Sequence, residues 1–151
     1  MTLLLLVVLL LTPVAAAHAV DSDPVPVPQA APAVSAQSRF NDGLALAKKK
    51  DWAAAERAYR EALSLDPALA EAWNGLGFAL RNQKKYPESI TAYEEALARR
   101  PRYAQALEYL GEAYVQLGRL DEARAIHARL QPLDPREARE LAKAIDKAAR
   151  R

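Results

Sequence analysis

The 151-residue sequence contains no cysteine. It therefore forms no disulfide, carries no lipid through a cysteine and does no thiol chemistry. Histidine is nearly as scarce, present only as His18 and His127. With so few imidazoles and no thiolate, no transition-metal site can be assembled. No serine or cysteine stands in a recognisable motif that would let a lone histidine activate it. The five glycines belong to helix contacts rather than to a phosphate-cradling loop. Neither sign of charge dominates, because 21 basic and 19 acidic residues leave a net charge of +2. That balance gives no argument for nucleic acid. Two carboxylate pairs, Glu94–Glu95 and Glu108/Glu112, lack the burial signal that acid–base work needs. These shortages predict a protein that is not an enzyme, with no cofactor, no metal and no small-molecule substrate.

One long apolar run is present, from Leu3 to Leu11. Thr12–Pro13 ends it, and Ala17-His18-Ala19 follows as a small-x-small sequence. This pattern predicts a secretory signal peptide over residues 1–19, cut after Ala19. No lysine or arginine precedes the run, so the signal is either weakly charged or starts upstream of Met1. The competing reading is an uncleaved membrane anchor. A spanning helix needs about 20 apolar residues, and here the run reaches Val20 only by crossing Pro13. Either reading places the rest of the chain outside the cytoplasm. The abundance of Ala, Leu and Arg points to a GC-rich bacterial gene, and the expected address is the periplasm. Residues 20–35 carry Pro24, Pro26, Pro28 and Pro32 among valine and alanine, a composition expected of an extended linker.

The remainder is periodic. Pro67, Pro101 and Pro135 stand 34 residues apart, and a fixed step of this size marks stacked repeats. Setting units at 36–69, 70–103 and 104–137 aligns small residues with small and large with large. The eighth place holds Gly43, Gly77 and Gly111, and the twentieth holds Ala55, Ser89 and Ala123. Small residues there let two helices approach closely. The twenty-fourth place holds Tyr59, Tyr93 and His127, large groups that fill the space beside the contact. In the second unit Trp73, Leu76 and Leu80 form one helical stripe and Ile90, Tyr93 and Leu97 another, separated at Lys84–Lys85. Each unit is thus predicted to be a helical hairpin. His127 is expected to pack on an inward face. Pro132 is expected to end or bend the third hairpin early. Residues 138–151, following Pro135, place Ala138, Leu141, Ala142, Ile145 and Ala149 on one face, which predicts an amphipathic helix capping the array.

The second unit, with Trp73, Leu76, Gly77, Ser89, Tyr93, Ala96 and Pro101, resembles the tetratricopeptide repeat of small exported bacterial proteins. The third resembles it through Leu107, Leu110, Gly111, Tyr114, Ala123 and Pro135, and the first through Ala55, Tyr59, Ala62 and Pro67. The first helix departs, because Arg39 and Asp42 stand where large apolar residues are usual. The resemblance implies an all-α solenoid of three hairpins that binds a protein or peptide. It also implies a concave groove lined by the first helix of each hairpin. Carried onto this sequence, that groove includes Phe40, Leu44, Asn74, Phe78, Arg81, Asn82, Gln105, Glu108 and Glu112, with Glu71, Ala47 and Lys48 beside them. The amides are expected to pair with a partner's backbone. Glu108 and Glu112 are expected to welcome a basic group. Some family members clamp a terminal carboxylate with lysine, asparagine and arginine. The corresponding places here hold Phe40, Leu44, Gly75, Gln105 and Tyr109, so that activity is not implied. The expected role is an adaptor, scaffold or assembly factor of the cell envelope. Self-assembly into a structural array is the other role the pattern leaves open.

Overall fold

The computed structural model describes residues 34–150. The expected signal peptide, and the linker up to residue 33, lie outside the described residues. Seven helices follow in order: α1 (Ala36–Lys48), α2 (Trp52–Leu65), α3 (Ala70–Asn82), α4 (Tyr86–Arg99), α5 (Ala104–Gln116), α6 (Leu120–Leu130) and α7 (Pro135–Ala149). The described residues form no strand. Each odd helix pairs with the next even one, and successive hairpins stack, α2 on α3 and α4 on α5. The all-α hairpin solenoid expected from the sequence is the observed architecture. No helix among the described residues is long and apolar enough to cross a membrane.

The turns inside the hairpins share one backbone device. Lys50, Lys84 and Gly118 all have positive φ, at 61°, 62° and 70°. They are one residue of the 34-residue pattern. In each case the next residue's N–H returns to a carbonyl five residues earlier: Asp51 to Leu46, Lys85 to Leu80 and Arg119 to Tyr114. This is a Schellman closure, in which a left-handed residue reverses the chain. Gly118 fits without strain, and a Cβ built there meets nothing. The glycines therefore do not all serve helix contacts, as the sequence had implied.

The turns between hairpins use proline. Pro67 and Pro101 lie in turns closed by Leu69 N–H to the Asp66 carbonyl (3.3 Å) and Tyr103 N–H to the Arg100 carbonyl (3.1 Å). The ring presets φ for the second position of such a turn. Pro135 behaves differently. It opens α7 at the first helical position, where its missing N–H is not needed. The closing helix thus begins three residues before 138. Asp134 caps it, accepting from the N–H groups of Arg136 and Glu137 (3.1 and 3.0 Å). As expected from Pro132, α6 stops early, with 11 residues against 14 in α2 and α4.

The packing of the repeat glycines explains why α7 is there. A Cβ at Gly43 would lie 2.5 Å from the ring of Tyr59, and one at Gly77 would lie 2.6 Å from Tyr93. In the first two hairpins the second helix therefore lays a tyrosine directly on the first. In the third hairpin His127 occupies the tyrosine place but is only half-buried, which corrects its expected inward packing. Gly111 is instead covered by Leu141 of α7, 2.5 Å from the built Cβ, with Ile126 behind it at 3.3 Å. Ala138, Leu141 and Ile145 are buried in the same core as Leu107, Leu110 and Leu130. Of the predicted apolar face, Ala149 at the helix end remains exposed.

Candidate protein-binding groove

The first helices of the hairpins, α1, α3 and α5, share one face. Contacts link α1 to α3 and α3 to α5 directly. On that face lies an open cavity of about 420 Å³. From the predicted set, Phe40 and Leu44 of α1, Asn74 and Phe78 of α3, and Gln105 of α5 line it, together with Ala47, Lys48 and Glu71. Leu44 is 41% exposed. Phe40 leans on Tyr59 with ring centroids 5.9 Å apart, so it packs within its hairpin while facing the cavity.

The repeat pattern draws the groove from first helices alone. The cavity also takes Trp52 and Tyr59 from α2, Lys50 from the turn before it, and Tyr103 from the turn before α5. Trp52 meets Phe78 edge-on at 5.6 Å, and Phe78 meets Tyr109 at 5.2 Å. The lining is thus a run of aromatic rings. Nothing local in the sequence says that the Trp52 ring faces the groove. Burial pushes the Tyr59 hydroxyl up to about 12, so it stays protonated as a donor.

The amides take definite roles. Asn74 is 6% exposed. Its Nδ2 donates to Gln105 Oε1 at 3.1 Å, while its Oδ1 is buried with no hydrogen-bond partner. An unmet buried acceptor costs about 1–3 kcal/mol. Gln105 Nε2 in turn donates to the Tyr109 hydroxyl at 3.3 Å. Asn82, by contrast, does not line the cavity. Its Nδ2 donates to the Phe78 carbonyl one turn back at 2.8 Å, so its amide is spent on its own helix.

The charged members also depart from expectation. Arg81 forms an ion pair with Glu112 across the hairpin boundary. Its guanidinium lies 4.9 Å from the Tyr109 ring centre and 5.5 Å from that of Phe78. The basic group expected from a partner at Glu112 is therefore supplied by the chain itself. Glu108 is half-buried beyond the cavity. Burial first, then the nearby charges of Glu137 and Asp134, hold its carboxyl above the ordinary range against the opposing pull of Arg81. Glu71 is engaged by Arg100, which lowers its pKa. Lys48 and Lys50 line the cavity, and neither pairs with an acid among the described residues.

Comparison with known proteins agrees with this geometry. One tetratricopeptide repeat family model matches residues 79–138 and a second, described as a TPR repeat, matches residues 43–84. The chain belongs to the tetratricopeptide repeat family. No curated protein matches it significantly. Among solved structures, the TPR2B domain in the pHsp70 complex of yeast Sti1 is similar at 22% identity and TM-score 0.71, covering 76% of this chain and 96% of that one. The first TPR of Spaghetti (RPAP3), bound to an HSP90 peptide, is 23% identical with TM-score 0.73, covering 78% and 94%. The Arabidopsis OM64 TPR domain is 23% identical with TM-score 0.72, covering 75% and 95%. These overlaps show that the chain shares the fold of those domains. No group of three metal-ligating side chains occurs among the described residues.

Proposed function

We propose that this tetratricopeptide repeat protein is a non-enzymatic interaction module. Its aromatic groove receives an extended segment of another protein. The observation that carries this reading is the open cavity on the shared face, lined by Phe40, Leu44, Trp52, Phe78 and Tyr109. Side chains of a bound extended segment would pack on these rings. Two similar structures contain Hsp70- or HSP90-derived partners, which supports a peptide partner without transferring its identity. The role is that of an adaptor or scaffold, or of an assembly factor. Self-stacking is disfavoured at one end, because α7 covers the third hairpin.

The Leu3–Leu11 run and the Ala17-His18-Ala19 sequence support work in the bacterial envelope, with release into the periplasm after cleavage at Ala19. The mass of the chain recovered from the periplasmic fraction tests this, and an intact Met1 in the membrane fraction would instead establish the anchored form. The groove reading is tested by crosslinked capture from the native envelope with the wild-type chain and with the Asn74→Ala/Phe78→Ala double variant. Loss of the captured protein from a variant that still melts cooperatively is the expected result. Undiminished capture by the folded double variant excludes the groove.

A further inference from the structure

We propose that the recess at Gly75 is a specificity pocket. It takes one large apolar or aromatic side chain of an extended peptide that carries an acidic residue next to this anchor. The proposal rests on the groove reading above and names the chemistry of its occupant.

The recess follows from one place in the repeat. The sixth residue of the units is Asn41, Gly75 and Tyr109. In the third unit Tyr109 fills the groove face, 6.0 Å from Tyr93, and Tyr93 is fully buried. In the second unit no side chain stands there. A Cβ at Gly75 would come within 2.6 Å of Tyr59 Cζ, so the Tyr59 ring itself forms the floor. Phe40, Leu44, Trp52 and Phe78 stand around it. The volume of about 420 Å³ lies in the ~300–1,000 Å³ range of binding pockets and suits one bulky side chain with its flanking backbone. A ring inserted there meets ring faces and edges, the geometry in which aromatic pairs attract.

The sign of the neighbouring charge follows from which ions are already engaged. Glu71, the carboxylate of the lining, is held by Arg100. Arg81 already lies over Phe78 and Tyr109 and is neutralised by Glu112. Arg99 lies over Trp73 at 4.9 Å and donates to the Pro67 carbonyl. Arg99 and Arg100 are thus consumed in holding the end of α4 to the turn at Pro67 and to α3. Lys48 and Lys50 remain at the mouth of the recess. Their field opposes a cationic flank and favours a carboxylate. A partner with a basic group, as the sequence alone had implied, is the wrong sign for this site.

Random decapeptides displayed on phage and selected on the full chain test the proposal. The expected consensus has one Trp, Tyr, Phe or Leu flanked by Asp or Glu. A labelled consensus peptide is then titrated by fluorescence anisotropy. Gly75→Ala would collide with Tyr59 and report on folding, so the recess is blocked from its exposed rim with Leu44→Trp. That variant is expected to weaken binding at least about tenfold, as loss of a central anchor does. Lys48→Glu with Lys50→Glu is expected to weaken it about tenfold and, in its own selection, to enrich Lys or Arg in place of the acids. Unchanged affinity in folded Leu44→Trp overturns the pocket, and an unchanged consensus in the charge-reversed variant overturns the acidic flank. Enriched peptides of another pattern that still protect α1, α3 and α5 from hydrogen exchange leave the groove standing and this inference refuted. If no peptide is enriched, both fall.

Discussion

The two ends of the array are finished in opposite ways. At the amino end α1 buries only Gly43, and it carries an Arg39 network with Asp42 of its own helix (3.2 Å) and Glu61 of α2 (3.1 Å). The end is closed by being polar. At the carboxyl end an extra helix, α7, buries Ala138, Leu141 and Ile145. Its Leu141 lies on Gly111 where the other hairpins use their own tyrosine. A repeat that buries its face only against neighbours must end in one of these ways. The difference also places the cavity. The lightly buried α1 leaves Leu44 exposed at the open end of the groove, while the carboxyl end is filled by Tyr109 and the Arg81–Glu112 pair.

The sharpest way to break this contrast is one leucine at each end. Leu141→Ala should cost about 2–5 kcal/mol, as for a buried leucine that leaves a cavity. Leu44→Ala should change stability by less than about 0.5 kcal/mol, as for an exposed site. Urea unfolding of the two variants checks the ranking, and equal losses would mean that α7 is not a structural part of the core. Next come the caps. Asp134→Ala should cost about 1 kcal/mol, the usual value of a lost N-cap. Ser35→Ala, which removes a similar bond to Ser38 N–H, should cost less, because α1 has little packing to lose when its end frays. Thermal melts of both variants test this order.

Smaller again are the left-handed residues. Lys50→Gly and Lys84→Gly should each stabilise by up to about 1 kcal/mol, because glycine removes the positive-φ penalty. Gly118→Ala, at φ 70°, should lose about as much, which chemical unfolding can measure. The smallest effect is electrostatic. The folded pKa of Glu108 is raised, so the folded state binds its proton more tightly than the unfolded state does. Stability from this group is therefore greatest below the unfolded carboxylate pKa and declines as pH rises through the folded one. Glu108→Gln should raise Tm slightly at pH 7, with the gain vanishing as pH falls through the carboxylate range. Glu56 has the opposite sign. Its burial is outweighed by bonds from Lys85, Gln83 and Arg60 that hold its carboxyl low, so Glu56→Gln should lower Tm at pH 7 and converge on the wild type in acid.

The fold was readable because its signals are periodic. The helix contacts at Gly43 and Gly77, the breaks at Lys84–Lys85 and the early stop before Pro132 all follow from residues close in sequence or repeated at fixed spacing. The site was less readable, because its deciding contacts cross between units. Arg81 and Glu112 are 31 residues apart, and each looks solvent-facing on its own helix. Trp52 and Tyr59 belong to a second helix, yet both rings line the groove, Tyr59 against Gly75 and Trp52 against Phe78 of the neighbouring hairpin. Leu141 replaces a tyrosine from outside the repeat. His127, standing where the other units have tyrosine, marks where the third unit changes but not what would fill it.

The central claim is that the face shared by α1, α3 and α5 is the working surface. Hydrogen exchange of the intact chain, with and without the partner segment captured from the envelope, tests it directly. The account predicts slowed exchange along α1 and α3, extending to the first turns of α2 and the start of α5, with α4, α6 and α7 unchanged. Protection centred on α4, α6 or α7 would contradict it.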